Sequence, residues 1–539
     1  MQYDYIIVGG GSGGSSVASR LADACPDATI ALIEAGPHTE RNLLVNMPVG
    51  IAALVPFKLG TNYGYETVPQ PGLGGRRGYQ PRGRGMGGSS AINAMVYVRG
   101  QPRDFDEWRA RGNPGWGFDD VLPYFRKMEA ASRGASAWRG GDGPLAVTDP
   151  TPDVHPLCEA FLRAGEALGY VRNADFNAPP WSGVGIYEIT TRGGRRMSTA
   201  RAYLHPAMRR GNVRVVTDAL ADRVRFEGTH ARAVAFSRGG VVHEALAHRA
   251  VILAAGAIGS PAILQRSGVG PKRTLAALGI SVVRDAPAVG ANLQDHLCID
   301  HLYRARVPTL NDALRPLLGK LAAGLRYLVA RRGPLALSVN QAGGFVAAKA
   351  GGAPDLQLYC SPLSYTRAPA GKRPLMSPDP FPGFLLSAQP CRPTSRGSIA
   401  ITSREAATAP RIVPNSLSTS DDMAAMIEGS RLLRRLAATP ALAAVIAEEL
   451  APGAAAQSDD ALVDDIRRRA GSVFHPVGTC AMGPDTRDAV VDARLAVHGI
   501  AGLRVVDASI FPSLTSGNTN APTIMVAERA ADLIAEDAR

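Results

Sequence analysis

Asp4-Tyr5-Ile6-Ile7-Val8-Gly9-Gly10-Gly11-Ser12-Gly13-Gly14-Ser15-Ser16 stands at the head of the chain. The apolar run from Asp4 to Val8 reads as a strand and the glycines as a turn. Val17, Ala18, Leu21 and Ala22 then recur at helical spacing, which predicts a helix from Ser16 to Ala24. Thr29 to Ile33 is a second apolar run, and it ends at Glu34. Strand, glycine turn, helix, strand and acid in this order form a dinucleotide-binding unit. Gly9 makes the tight turn, Gly11 lets backbone approach a pyrophosphate, and Gly14 lets helix and strand pack closely. The helix N-terminus offers unpaired N–H groups and a positive dipole end to phosphate, with Ser12 beside it. Glu34 is placed for a ribose hydroxyl. A glycine-rich linker, the alternative, explains neither the flanking strands nor the acid.

The 539 residues are too many for one simple core and predict two domains or one elaborated domain. At 45% hydrophobic and 20% charged the chain is an ordinary globular one. No apolar run approaches the roughly 18 residues that would span a bilayer. The first strand begins by Asp4 with no leader before it, so a cytoplasmic location is expected. Six cysteines without Cys-x-x-Cys spacing suit free thiols and argue against a metal site. The formal net charge of +12 would suit an anionic partner. Yet the arginines are dispersed, and no long basic run is interleaved with aromatics, so nucleic acid is not expected. The densest group, Arg192 to Arg201, reads as a solvated loop or a structural cluster. Peripheral contact with a membrane stays open.

A long irregular stretch follows Glu34 as far as Gly88, suited to loops over a cofactor or an entrance. It contains Pro81-Arg82-Gly83-Arg84-Gly85-Met86-Gly87-Gly88-Ser89-Ser90-Ala91-Ile92-Asn93. This second glycine turn either crowds a ligand with backbone N–H groups or is a surface loop. Helices are predicted over 119–130 and 155–168, and strands over 213–216, 233–236, 241–244 and 251–255. Gly256 breaks the last strand and opens a helix through Arg266, and 292–296 reads as a loop. Beyond residue 300 the texture changes. A helical region runs from Asn311 to Arg331, and alternating runs over 355–359, 383–388 and 398–401 suit an antiparallel sheet. Helices are predicted over 421–436 and 459–469. The end of the chain returns to the first texture, with a strand over 503–506 and a helix over 522–535.

Two late loops carry the chemistry: His475-Pro476-Val477-Gly478-Thr479-Cys480 and Ser516-Gly517-Asn518-Thr519-Asn520-Ala521-Pro522-Thr523. The second enters the final helix, whose N-terminus favours negative charge before it. A reduced flavin gathers such charge around N1 and the C2 carbonyl, whereas a nicotinamide gains nothing there. FAD is therefore expected over NAD. The fold expected is α/β: a discontinuous Rossmann-like FAD-binding domain (1–155, 195–300 and 470–539) with an α+β substrate domain holding an antiparallel sheet (156–194 and 301–469).

At these residues the chain resembles the glucose–methanol–choline (GMC) family of FAD-dependent oxidoreductases. The resemblance spans nearly the whole chain and rests on the N-terminal glycine turn, the 83–93 loop, the 256–270 segment and the His475 and Asn520 loops. It implies His475 as the base for an alcohol hydroxyl and Asn520 as the second catalytic residue, holding the substrate oxygen. Asn518 is placed at the flavin edge, with the reverse arrangement open. It implies FAD contacts at Gly9, Gly11, Ser12, Gly14, Glu34, Ala35, Arg84, Gly87, Gly88, Ser89, Asn93, Ala94, Met95 and Val96. Further contacts are expected at Ala255, Gly256, Asp507, Ala508, Asn520, Pro522 and Thr523, with Val224 or Ala221 near the adenine. His296 and His498 take a structural reading. The chemistry agrees: an alcohol carbon yields hydride readily only as its oxygen loses a proton, and histidine suits that task near neutral pH. Flavin N5 would accept the hydride.

Some relatives bind FAD covalently through a histidine where this chain has Ile92, so the FAD is expected to be non-covalent. Choline-specific relatives carry a carboxylate before Ala342-Gly343-Gly344-Phe345, where this chain has Gln341. An uncharged primary alcohol is therefore expected as the substrate. A dehydrogenase passing electrons to a quinone or a carrier protein is favoured over an oxidase using dioxygen, although Val473 near His475 could leave room for dioxygen. Rivals of another class are a flavin-dependent lyase and a non-catalytic nucleotide-binding protein. No metal is expected.

Overall fold

A computed structural model describes residues 1–57, 59–348, 351–365 and 377–538. The chain opens with strand β1 (Gln2–Val8), helix α1 (Ser12–Ala24) and strand β2 (Ile30–Ile33). The glycine-rich excursion is followed by α2 (Phe118–Met128), α3 (Leu157–Ala167), β3 (Gly183–Ile186) and β4 (Val213–Val216). Three longer strands come next, β5 (Ala219–Glu227), β6 (His230–Arg238) and β7 (Val241–Leu253), and α4 (Gly256–Arg266) leaves the end of β7. The middle of the chain gives β8 (Leu297–Ala305), α5 (Leu317–Ala330), β9 (Ala342–Val346), β10 (Leu356–Ser361) and β11 (Gly383–Pro390). It closes with α6 (Ser420–Ala437), β12 (Ile446–Ala451), α7 (Asp459–Arg469), β13 (Leu503–Val505) and α8 (Asn520–Asp537).

Two sheets organise these elements. The first runs β4-β2-β1-β7-β6-β5, with β13 also on β7. Strands β4, β2, β1, β7 and β13 pair in parallel. Tyr5 to Val8, all of β2 and the end of β7 are buried, which explains their unbroken apolar sequence: a parallel strand is covered on both faces. Helices α1 and α8 pack together over this sheet. α8 is buried along most of its length, and its one deeply buried acid, Glu528, accepts from Arg20 Nε and Tyr203 Oη, both at 2.7 Å. The predicted separate strands at 241–244 and 251–255 are one continuous strand. The first half of β7 pairs antiparallel with β6, and its last residues pair parallel with β1 and β13. Polar Glu244, His248 and Arg249 interrupt the apolar pattern because that half is partly exposed.

The second sheet is antiparallel, β12-β8-β11-β10-β9-β3. Helix α6 packs on β11 and β8, and α7 packs on α6. The predicted run at 398–401 is not part of this sheet. Among the described residues, Ser398–Ala400 pairs with Arg411–Val413 alone. The helical region from Asn311 to Arg331 is two helices, Leu310–Leu314 and α5, parted at Arg315 and Pro316. Pro316 has no N–H to continue the first helix and sits just before the second. Among the described residues, no helix is long and apolar enough to cross a membrane.

Candidate active site

Between the two sheets lies a cavity of about 1720 Å³. That exceeds the roughly 300–1000 Å³ of an ordinary small-molecule pocket, leaving room for a dinucleotide and a substrate together. The N-termini of α1 at Ser12, α4 at Gly256 and α8 at Asn520 reach its wall. Each brings N–H groups and a positive dipole end to the same space. Gly9 turns the chain at φ +103°, and any side chain at Gly14 would collide with the Gly9 carbonyl. Gly88 folds over the same turn, where an added Cβ would lie 2.6 Å from Gly11 Cα. Two bare backbones thus form a cradle that a side chain would fill.

Glu34 is buried and its carboxylate accepts three backbone N–H groups, from Gly10 at 2.7 Å and from Gly36 and Gly85 at 2.8 Å. Burial pushes its carboxyl up, against the pull of those donors. Three of about four acceptor sites on a carboxylate are used, so one remains for a ribose hydroxyl. Glu34 therefore also joins the two glycine turns. Asp507 does the same work at α4, accepting from Gly256 N at 2.8 Å, Ser260 Oγ at 2.5 Å and Ser509 N at 2.7 Å. These residues fit FAD: helix ends for a pyrophosphate, a carboxylate for a ribose, and a glycine cradle between.

Of the residues expected at the cofactor, Gly9, Gly11, Ser12, Glu34, Ala35, Arg84, Gly88, Ser89, Asn93, Ala94, Met95 and Val96 line the cavity. So do Ala221, Ala255, Gly256, Asp507, Ala508, Asn518, Asn520 and Thr523. Gly14, Gly87, Val224 and Pro522 do not. Gly14 serves helix packing, Gly87 donates to Gly10 O at 2.7 Å, and Val224 N is held by Ser267 Oγ at 2.8 Å. Pro522 sits in the first turn of α8. The second glycine loop is fixed from behind by Arg196, buried and with no carboxylate at hand. Its guanidinium donates to Val45 O at 3.0 Å and to the Asn93 side chain at 2.8 Å. Burial pulls it down to about 9. Arg196 is thus the structural member of the 192–201 cluster.

The His475 loop is clamped on both sides. Asp295 accepts His475 N at 2.8 Å, Ser472 Oγ at 2.6 Å and Gln80 Nε2 at 2.7 Å. Arg82, buried and lowered to about 10 by that burial, donates to Phe474 O at 2.6 Å. Phe474 itself holds φ +72°, a left-handed conformation that a bulky residue keeps only when its surroundings over-determine it.

A directed hydrogen-bond chain runs through His475. His296 Nε2 lies 2.9 Å from Cys391 O, and a carbonyl only accepts, so His296 carries its proton on Nε2. Its Nδ1 is then bare and accepts from His475 Nδ1 at 3.0 Å. His475 Nε2 is left without a proton, and Asn518 Nδ2 donates to it at 3.1 Å. The chain continues into the antiparallel sheet: Gln357 Nε2 donates to Asn518 Oδ1 at 3.2 Å, Gln389 Nε2 to Gln357 Oε1 at 3.1 Å, and Tyr359 Oη to Gln389 Oε1 at 2.9 Å. Burial holds both imidazoles neutral. It takes His296 down to about 4 and His475 well below 6.5, with its neighbours His296 and the Arg82 cation adding to the effect on His475.

Three placements follow from these contacts. Asn518, not Asn520, touches His475. Asn520 Oδ1 instead accepts from Ser12 Oγ at 2.7 Å, because α8 starts at Asn520 and turns that side chain toward α1. His296 is not merely structural, since its ring fixes the tautomer of His475. Gln341 does not face the cavity: its Oε1 accepts from His155 N at 2.7 Å, while Val339 and Asn340 line the wall. His498 keeps its structural reading, bonded to Gly483 O at 2.9 Å. The sequence offered no local pattern for His296, Gln357 or Gln389, which meet the loop only through long-range folding.

Cys25, Cys158, Cys360, Cys391 and Cys480 form no disulfide. Two models of the GMC oxidoreductase family match the chain, the N-terminal one over residues 3–298 and the C-terminal one over residues 393–527. The chain is 41% identical to an oxygen-dependent choline dehydrogenase of Pectobacterium atrosepticum, over 99% of this chain and 95% of the relative. It is 40% identical to an alcohol dehydrogenase (acceptor) of Pseudomonas putida, with the same coverage. Among solved structures, pyridoxine 4-oxidase from Mesorbium loti aligns with a TM-score of 0.88 and 34% identity, covering 98% of both chains.

Proposed function

The chain belongs to the GMC oxidoreductase family, and from that premise we propose that it oxidises an uncharged primary alcohol to the aldehyde, with His475 as the base. It is an FAD-dependent oxidoreductase acting on CH–OH donors, and it uses a small-molecule substrate and an electron acceptor. FAD supplies the hydride acceptor when bound.

The observation that carries the reading is the bare Nε2 of His475. It sits at a cavity-lining residue and is kept empty by the His296–Cys391 chain behind it. A neutral imidazole within reach of a hydroxyl takes its proton as the carbon–hydrogen bond breaks. Asn518 Nδ2 lies beside that nitrogen and can donate to the alkoxide oxygen, so the second catalytic role passes from Asn520 to Asn518. Asn520, at the N-terminus of α8, is assigned to the flavin edge. Val96, Cys298, Tyr359 and Val473 line the cavity, apolar surface that accommodates an aliphatic or aromatic alcohol. Ile92 lines the cavity and has no nucleophilic atom, which favours dissociable FAD.

We assign the acceptor to a quinone or a carrier protein and the reaction to a dehydrogenase. Cys25, Cys158, Cys360, Cys391 and Cys480, which form no disulfide, favour a reducing compartment such as the cytoplasm. We also retain the division into a discontinuous FAD-binding domain (1–155, 195–300 and 470–539) and a substrate domain (156–194 and 301–469). The test is a panel of alcohols mixed with the yellow protein without oxygen. Uncharged primary alcohols are expected to bleach the flavin with a larger specificity constant than choline. Absence of bleaching by any alcohol would support the lyase or the non-catalytic alternative, and a dye-versus-peroxide comparison separates dehydrogenase from oxidase.

A further inference from the structure

Helix α5 buries a narrow seam and exposes most of its large apolar side chains. Its buried residues are Ala323 and Tyr327. Leu317, Leu318, Leu321, Leu325, Leu328 and Val329 are 60–80% exposed. At about 100° per residue these six fall within an arc of roughly 120° centred opposite the buried seam. Lys320 and Arg326 are exposed and stand on the two flanks of that arc. From Ala313 to Arg332 the sequence holds five cations and no acid. Single exposed leucines need no explanation, but a continuous stripe of six does. An apolar face with cations along both edges matches a helix lying in a bilayer interface, with the side-chain stems buried and the charged heads among lipid phosphates.

The surroundings extend the face. α5 packs on the short helix Pro334–Ala336, which packs on Pro48–Gly50. The segment after Gly50 contributes Ile51, Val55 and Pro56 to the cavity wall, and then exposes Phe57 and Leu59 at 40% and 53%. Val339 and Asn340, shortly after α5, line the same cavity. We propose that α5 docks this protein onto an anionic lipid bilayer, with its leucine stripe in the acyl boundary and Lys320 and Arg326 on the headgroups, placing the cavity wall beside the membrane. A second copy of the chain would also cover leucines, but it would bring the same cations against one another, whereas acidic lipid neutralises them.

The test floats the FAD-loaded full chain with vesicles of equal parts phosphatidylglycerol and phosphatidylcholine. The protein is expected to float with them, less so in high salt, and to float poorly with phosphatidylcholine alone. The double variant Leu321→Glu/Leu325→Glu should lose at least about tenfold in partition coefficient. Lys320→Glu/Arg326→Glu should lose binding only to the anionic vesicles. Flavin absorbance, thermal midpoint and alcohol bleaching rate should stay close to wild-type values in both, since all four side chains are exposed and outside the cavity, and the surface pair of Arg326 with Asp153 at 4.0 Å contributes little. Failure of the parent protein to float overturns the proposal, as does equal flotation of the leucine variant. A dimer that the leucine variant converts to monomer, without vesicle binding, assigns the stripe to a second copy instead.

Discussion

Replacing His296 with alanine is expected to slow the chemical step while leaving substrate binding nearly untouched. In the native structure His475 Nδ1 donates to His296 Nδ1 at 3.0 Å, and both rings are buried. Removing the acceptor strands a buried N–H, which costs about 1–3 kcal/mol. His475 can relieve that cost by moving its proton to Nε2, the atom that must be empty to act as base. The productive tautomer then falls by the same free energy, roughly 5- to 150-fold in rate. His296 does not line the cavity, so KM should change little. Asparagine at 296 places an amide oxygen near the position of Nδ1 and should recover part of the loss, because it restores the acceptor without the tie to Cys391. The assay is anaerobic stopped-flow bleaching of the flavin by a saturating primary alcohol. A His296→Ala protein that bleaches at the parent rate, with an unshifted pH profile, would refute the tautomer argument.

The two asparagines should separate by phenotype. Asn518→Ala should cut the bleaching rate by about 10²- to 10³-fold, as expected for losing a donor to a developing oxyanion, with FAD retained. Asn520→Ala should instead weaken FAD retention or shift the flavin spectrum, read by absorbance after gel filtration. Activity should hold from neutral pH down to well below 6.5, because burial keeps His475 neutral there; an acid limb centred at 6.5 or above in a pH–rate profile would contradict this. Stability has the opposite dependence on the same burial. The unfolded chain binds protons below about pH 6.5 while native His296 resists them to about 4, so stability falls across that window by about 3 kcal/mol from this residue, measured by denaturant titration at stepped pH.

Much of the cofactor-binding half was legible because its strands are buried on both faces and read as unbroken apolar runs. α4 and α7 were read with their observed bounds for similar reasons: a glycine break before one, and an acidic first turn with a basic last turn in the other. β8 was missed because Asp300 and His301 interrupt it; His301 is buried among polar and aromatic neighbours that only the fold supplies. β9 was not recognised because Gly343 and Gly344 suppress strand propensity, yet any side chain at Gly343 would collide with Leu358 O. The site was half legible. His475 and the Asn518–Asn520 turn lie in loops with local composition to mark them. Which asparagine faces the base depends on where α8 begins, two residues before the predicted start. His296 meets His475 across 179 residues of sequence, and no local pattern encodes such a contact.

The account rests on His475 Nε2 as the proton acceptor. Its most direct test is single-turnover flavin reduction by a primary alcohol at neutral pH in His475→Ala, with FAD content confirmed by absorbance. A fall of about 10²–10⁴-fold with FAD bound is predicted, partly recovered as pH rises and the alcohol ionises unaided. Reduction within a few-fold of the parent rate, and independent of pH, would contradict it.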